Sequence, residues 1–179
     1  MGIEFFAPKK LVYGENAFLE IVPNLLTLNV KRAFVLYSGS ALTCELHQSL
    51  KSLCLDANIH VSFFEMPKGE PTFALLEIAK KLFQKNNCDG VVAIGGGSAI
   101  DLAKAVAAVS KNELQTFQSL AEIPKIDRYP LIAVPTTAGT GSEATKVSVL
   151  TDSRVQVKYN PGHVDLIPDV AILDPVLTV

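Results

Sequence analysis

A run of three glycines between an apolar segment and an amphipathic segment constrains this chain more than any other feature. Residues 91–104 read VVAIGGGSAIDLAK, and the apolar stretch from Val91 to Ile94 has the length of a buried strand. Each glycine inside regular structure costs roughly 0.5 to 1 kcal/mol relative to alanine, so three in succession exceed the needs of a simple turn. We expect a glycine loop that binds a phosphate group at the start of a helix.

The sequence also predicts where this helix begins. Ser98 is a favourable N-cap and Asp101 follows three residues later, which together predict a capping box. Apolar residues then recur on one face, at Ala99, Leu102, Ala103, Val106 and Val109. The candidate phosphate-binding residues are therefore Gly96, Gly97 and Ser98. The loop is neither the usual G-x-G-x-x-G fingerprint nor a P-loop, and a glycine turn that binds nothing is the alternative.

A second loop of similar design follows the next apolar segment. Residues 131–145 read LIAVPTTAGTGSEAT, in which a short apolar strand stops at Pro135. The hydroxyls of Thr136, Thr137 and Thr140 can donate to phosphate or ribose oxygens, although loop threonines often bond only their own backbone. In an open parallel sheet both loops would lie at the carboxyl edge, where doubly wound folds bind their ligands.

Segments with the lengths of strands and helices alternate along the chain. We expect an α/β fold, with a doubly wound, mostly parallel, Rossmann-like sheet and helices on both faces. A first helix is predicted over Asn16 to Leu28, where Pro23 either breaks it or ends its first part. Near the C-terminal end, Lys146 to Leu150 and Val155 to Tyr159 predict a β-hairpin around residues 151–154. The strands of the sheet are predicted at Lys9 to Tyr13, Ala33 to Tyr37, Ile59 to Phe64, Val91 to Ile94, Leu131 to Val134 and Val170 to Leu173.

Length and composition limit the classes of function. A chain of 179 residues can form one domain with a substantial core, and a net charge of −2 gives no field to attract nucleic acid or an anionic membrane. The three cysteines form neither an even framework nor a C-x-x-C pair, which predicts reduced thiols in the cytoplasm. The three histidines have no metal-site spacing. No secretory leader and no span of roughly 18 apolar residues is found, so we expect a cytoplasmic protein.

Three motifs together resemble the iron-containing, or group III, alcohol dehydrogenases. They are GGGSAIDLAKAVA, PTTAGTGSEAT and the PDVAILDP of residues 168–175, and the resemblance extends to FFAPKKLVYGENA at residues 5–17. It implies that residues 1–179 form a dinucleotide-binding domain of the dehydroquinate synthase-like N-terminal type, which takes NADP or NAD. Family members continue into a helical domain whose aspartate and histidines hold Fe²⁺ or Zn²⁺, and we expect that domain to be absent here.

The resemblance also implies roles for individual residues. Asp101 would contact the nicotinamide end of the cofactor, and Lys158 matches a family lysine that reaches the cofactor. Gly39 stands where the family has an aspartate that favours NAD by bonding the adenosine ribose. A carboxylate there would repel a 2′-phosphate, so its absence leads us to expect that NADP is tolerated. The alternatives are that Gly39 only turns the chain and that Lys158 is a solvated charge.

The sequence therefore predicts the cofactor-binding domain of a metal-dependent alcohol dehydrogenase that interconverts a small alcohol and an aldehyde by hydride transfer. Alone, the domain would bind dinucleotide without catalysis. Glycerol dehydrogenases and maleylacetate reductases are related alternatives, whereas the PTTAGTGSEAT loop argues against a dehydroquinate synthase. A non-catalytic nucleotide-binding or assembly module, for example a homodimer, is the alternative from a different class.

Overall fold

A parallel β-sheet forms the centre of the computed structural model, which describes residue 2, residues 4–111 and residues 116–178. The strands of this part of the chain are β1 (Lys10–Tyr13), β2 (Arg32–Ser38), β3 (His60–Met66), β4 (Gly90–Gly95), β5 (Leu131–Pro135), β6 (Leu150–Asp152), β7 (Val157–Tyr159) and β8 (Val170–Leu173). Six of them form one sheet in the order β1-β8-β5-β4-β2-β3, and every pairing in it is parallel. The predicted α/β class is confirmed.

Among the described residues, four α-helices lie between the strands from β1 to β5: α1 (Ile21–Thr27), α2 (Cys44–Asp56), α3 (Phe73–Lys85) and α4 (Gly97–Val109). The predicted first helix divides into a 3-10 turn, Ala17–Glu20, and α1. Pro23 lies in the first turn of α1, where a missing N–H removes no helical hydrogen bond, so it does not break the helix. In the described part of the chain, no helix combines the length and the apolar character that a membrane span requires.

The helices cover both faces of the sheet because the side chains of each strand alternate between two cores. On β4, Val91 and Ala93 belong to the core beneath α3 and α4, whereas Val92 and Ile94 belong to the core beneath α1 and α2. Helix α4 is the most deeply placed, since every residue from Ala99 to Val109 is buried. The sheet is thus doubly wound, and its middle strands are apolar throughout, as parallel strands covered on both faces must be.

The predicted hairpin is present with a different first strand. Strand β6 pairs with β7 in an antiparallel register that sets Thr151 opposite Lys158. Residues 146–149 were predicted as strand, but their backbone groups make hydrogen bonds outside the hairpin. The carbonyl of Lys146 accepts from the amide of His163, and the carbonyl of Val147 accepts from the side chain of Lys104. The hairpin therefore starts at Leu150 and not at Lys146.

A buried ion pair joins the beginnings of β5 and β8 at the amino edge of the sheet. The Arg128 guanidinium lies 2.7 Å from the Asp169 carboxylate, which also accepts from Lys9 and from the amide of Leu131. Burial alone raises the pKa of Asp169, but the hydrogen bonds and charge of Arg128, with the other donors, lower it below its ordinary value. Arg128 also donates to the carbonyls of Tyr129, Asp165 and Ile167. The Arg128 side chain thus provides hydrogen-bond donors for backbone carbonyls just before both β5 and β8.

We predict that Arg128→Met lowers the free energy of unfolding by about 3 to 5 kcal/mol, because it leaves the buried Asp169 carboxylate without its main partner. Urea denaturation followed by circular dichroism measures the loss. Lys111→Met is the matched control: Lys111 pairs with Asp127, and both side chains are exposed, so the loss of this surface pair should cost less than about 1 kcal/mol. Equal losses in the two variants would contradict the account.

Candidate functional site

The order of the strands fixes where a ligand can bind. The chain passes from β2 to β3 through α2 on one face, and then returns through α3 on the other face to β4, which lies on the far side of β2. The connections therefore change direction between β2 and β4, and the crevice at the carboxyl ends of such a pair is the usual ligand site of doubly wound sheets. Ser38 ends β2 and Gly95 ends β4, so Gly39 and the glycine loop both flank this crevice.

Gly95 is the most constrained glycine of the loop. Its φ is +155°, and a Cβ at this position would overlap the Ser38 Oγ and lie 2.9 Å from the Ala99 Cβ. No larger residue fits between the end of β2 and the first turn of α4 without movement of one of them. Gly95 was not among the predicted site residues, because the sequence of three glycines does not show which of them packs between neighbouring elements.

Gly96 and Gly97 bring the second loop against the first. A Cβ on Gly96 would lie 3.1 Å from the Thr137 Oγ1, and one on Gly97 would lie 3.2 Å from the Ser142 Oγ. Both separations are tighter than ordinary van der Waals contact. The backbone of the glycine loop is therefore bare on the side that faces the threonine loop, where side chains would otherwise fill the space between them.

Helix α4 begins earlier than predicted, and the capping box is wrong. Gly96 is the N-cap and makes no side-chain cap; its carbonyl accepts from the amides of Ala99 and Ile100. Ser98 is the second residue of the helix, so its own amide is among the free amides that point toward the crevice. The carboxylate of Asp101 does not return to the helix start, because it accepts from the amide of Val149 at 3.1 Å.

The structure brings the predicted threonines alongside the glycines. Pro135 lies opposite Gly95 in the sheet, and the amide of Thr136 donates to the Gly95 carbonyl at 3.0 Å. Thr137 is exposed, and the Thr140 hydroxyl donates to the Glu143 carboxylate at 2.9 Å. The two loops thus form one continuous polar surface over the N-terminus of α4, which is the arrangement expected of an anion site.

Asp101 contributes an unusual carboxylate to this surface. One carboxylate oxygen accepts from Val149, while Oδ1 is buried and makes no hydrogen bond within the described part of the chain. Burial raises the pKa of Asp101, whereas the nearby charge of Lys104 and the donors of Val149 and Ser142 act in the opposite direction. A buried acceptor without a partner is costly, but Oδ1 has no accessible surface, so a ligand donor would reach it only after a local movement.

Lys104 holds the end of the threonine loop by hydrogen bonds to its backbone. It was not predicted as a site residue. Its side chain is fully buried within α4, and Nζ donates to the carbonyls of Thr145 at 2.8 Å and Val147 at 2.7 Å. Burial lowers the pKa of Lys104 to about 8, although the charges of Asp101 and Glu143 act in the opposite direction. The apolar stripe predicted for this helix leaves residue 104 on the polar side, so periodicity gave no signal of its burial.

The remaining predicted residues lie apart from the joined loops. Lys158 is exposed on β7 and pairs with the Glu70 carboxylate, which also accepts from the Thr151 hydroxyl. Glu70 follows β3, so this pair borders the same sheet edge two strands from the glycine loop. Hydrogen bonds from Lys158 and Thr151 lower the pKa of Glu70. Gly39 has a φ of +37° with open space around it, so it turns the chain at the switch point, beside the crevice.

Two cavities open along this edge. One of about 570 Å³ lies between β2, the first turn of α2 and the threonine loop, and one of about 270 Å³ lies beyond the threonine loop toward β8. The bare glycines, the free helix amides and the Asp101 oxygen fit a dinucleotide across this edge. They do not fit a metal ion: the described residues contain no group of three or more His, Cys, Asp or Glu side chains that could hold one.

Known proteins match this chain along nearly its whole length. A family profile described as "Iron-containing alcohol dehydrogenase" matches residues 8–175. The "NAD-dependent methanol dehydrogenase" of Bacillus methanolicus is 33% identical over 177 residues, which are 98% of this chain and 46% of that protein. The "Probable alcohol dehydrogenase EutG" of Escherichia coli (strain K12) is 35% identical over 97% of this chain and 44% of its own length. The chain spans about half the length of these curated relatives.

Solved structures show the same fold. A crystal structure of "1,3-propanediol oxidoreductase" superposes with a TM-score of 0.90 at 28% identity, over 99% of this chain and 47% of that one. The sulfoacetaldehyde reductase of Bifidobacterium kashiwanohense in complex with NAD⁺ superposes with a TM-score of 0.82 at 30% identity, over 99% of this chain and 47% of that chain. The likeness therefore covers the entire domain described above.

We predict that the stability contributed by Lys104 depends on pH. Its folded-state pKa of about 8 lies below the value of an unfolded lysine, so the unfolded state binds more protons between about pH 8 and pH 10.4. The unfolding free energy of the wild type should therefore rise through this window relative to Lys104→Met and Lys104→Gln, by up to about 3 kcal/mol. Urea denaturation at stepped pH values measures the difference. If the difference in unfolding free energy between the wild type and each variant does not change with pH, the Lys104 amine does not titrate in this window and the prediction is wrong.

Proposed function

The chain belongs to the iron-containing alcohol dehydrogenase family, and we propose that residues 1–179 form the NAD(P)-binding domain of a metal-dependent alcohol dehydrogenase. One observation carries the proposal: the glycine loop and the threonine loop join at the carboxyl edge, over the N-terminus of a buried helix. In this proposal the two loops would bind the two phosphates at the point where the strand connections diverge.

The start of α4 would hold the pyrophosphate. The backbone amides of Gly97 and Ser98 belong to the first turn of α4 and have no partner within the helix. The positive end of the helix dipole adds roughly 0.3 to 1 kcal/mol for a negative charge at that position. The hydroxyls of Thr136 and Thr137 would donate to phosphate or ribose oxygens. The Thr140 hydroxyl donates to the Glu143 carboxylate, so it would donate to the cofactor only by exchanging that bond.

Asp101 would orient the other end of the cofactor. Its Oδ1 is buried and would accept a hydrogen bond from a carboxamide N–H once a local movement exposed it, while its second oxygen is fixed by the Val149 amide. Lys104 holds the backbone of Thr145 and Val147, and so keeps this segment against Asp101. The nicotinamide, when bound, supplies the carbon that takes or gives a hydride. Lys158 would add a positive charge at the rim, where Glu70 now pairs with it.

The substrate would be a small alcohol or the matching aldehyde. The matched relatives include a methanol dehydrogenase, butanol dehydrogenases and a 4-hydroxybutyrate dehydrogenase. One butanol dehydrogenase is described as NADH-dependent and another as NADPH-dependent, so both cofactors occur among relatives. The Fe²⁺ or Zn²⁺ of the whole enzyme would be held by residues outside this chain, which alone would bind cofactor without turnover. The three free thiols support a reducing, cytoplasmic setting.

We predict that this chain binds NAD⁺ saturably and that Gly97→Asp weakens binding at least tenfold. The added side chain would crowd the Ser142 hydroxyl, 3.2 Å from the new Cβ, and would set a negative charge against the pyrophosphate. Isothermal titration calorimetry measures both affinities. Gly162→Asp is the matched control, because it adds the same charge at an exposed glycine with ordinary contacts, outside both loops.

Two results would contradict the proposal. One is that the wild-type chain shows no saturable heat of binding at millimolar NAD⁺. The other is that Gly97→Asp and Gly162→Asp lose the same affinity, which would show that the glycine loop is not the phosphate site. Circular dichroism of each variant separates loss of binding from loss of folding.

A further inference from the structure

The larger cavity at the crevice is lined by both hydroxyl groups and apolar side chains. Ser38, Thr43 and Thr136 provide hydroxyls, while Leu46 and Leu177 provide apolar surface. Its volume of about 570 Å³ lies in the range of small-ligand sites. An adenosine has the same division, with an apolar base and a ribose rich in hydroxyls.

One charged side chain faces this cavity. Glu45, in the first turn of α2, is exposed and lines it together with Ser38 at the end of β2. Among the described residues that line the cavity there is no lysine, arginine or histidine. The N-terminus of α2 attracts negative charge, but Glu45 already places a carboxylate within that turn. The cavity is thus suited to hydroxyl donors and unsuited to an additional anion.

We propose that Glu45 selects NAD over NADP by accepting hydrogen bonds from the adenosine ribose hydroxyls; this inference rests on the proposed cofactor function. A carboxylate accepts from neighbouring hydroxyls, but it repels a 2′-phosphate that finds no cation in the same cavity. The prediction that NADP is tolerated rested on Gly39 alone, which follows β2 and has no side chain. The carboxylate comes instead from the first turn of α2, six residues further along the chain, and it lines the same cavity as Ser38 at the end of β2.

The test is isothermal titration of the wild-type chain, Glu45→Gln and Asp56→Asn, each with NAD⁺ and with NADP⁺. We expect the wild type to bind NAD⁺ at least tenfold more tightly than NADP⁺, and Glu45→Gln to reduce that preference at least fivefold. Asp56→Asn is the matched control because Asp56 is an exposed acid at the far end of the same helix, and it should keep the wild-type preference. Glu45→Arg should reverse the preference toward NADP⁺.

The outcomes separate this inference from the proposed function. If the wild type binds both cofactors equally, or if Glu45→Gln and Glu45→Arg keep its preference, Glu45 is not the selector, while the saturable binding still supports a dinucleotide site. If neither cofactor binds, both proposals fall. A similar change of preference in Asp56→Asn would assign the effect to net charge and would also overturn the role of Glu45.

Discussion

Burial of α4 from Ala99 to Val109 is the constraint on which the rest of the site depends. Every residue from Ala99 to Val109 is enclosed, and alanine supplies much of that surface, so the helix lies close to β4 and β5. A helix seated so deeply brings its first turn against both β2 and the threonine loop. Under those conditions Gly95 admits no larger residue, and a Cβ on Gly96 or Gly97 would press against hydroxyls of the threonine loop. The bare backbone and the free helix amides that suit a phosphate are therefore consequences of packing as much as of binding.

The two edges of the sheet have different chemistry. At the amino edge, Arg128 and Asp169 satisfy each other and the backbone of two strands, which is typical of a structural ion pair. At the carboxyl edge, polar groups are left without protein partners: the helix amides and the exposed Thr137 face the crevice, and one buried oxygen of Asp101 lies behind them. The groups that stabilise the sheet and the groups that could bind a ligand thus lie at opposite ends of its strands. Lys104 belongs to both, since its buried amine holds the loop that completes the site.

Local patterns were enough to predict the class of fold and the two loops, because strand length, helix period and glycine content are encoded within a few residues. The errors arose where distant segments compete for the same backbone group. Asp101 was predicted to cap its own helix, yet it bonds Val149, and residues 146–149 were predicted as strand, yet they bond Lys104 and His163. Glu45 gave no signal in sequence, since only the fold shows that α2 begins beside the cavity that β2 opens.

The central claim is that the glycine and threonine loops act as one dinucleotide site. Two-dimensional ¹H–¹⁵N NMR of the labelled chain during titration with NAD⁺ tests it most directly, because it reports each backbone amide separately. We expect the amides of residues 96–98 and 136–142 to shift together and to follow a single binding curve. Another cavity, of about 440 Å³, lies between α3 and the β6–β7 hairpin and is lined by Phe73, Phe117 and Arg154. Shifts confined to that cavity, or different curves for the two loops, would show that the loops do not act as one site.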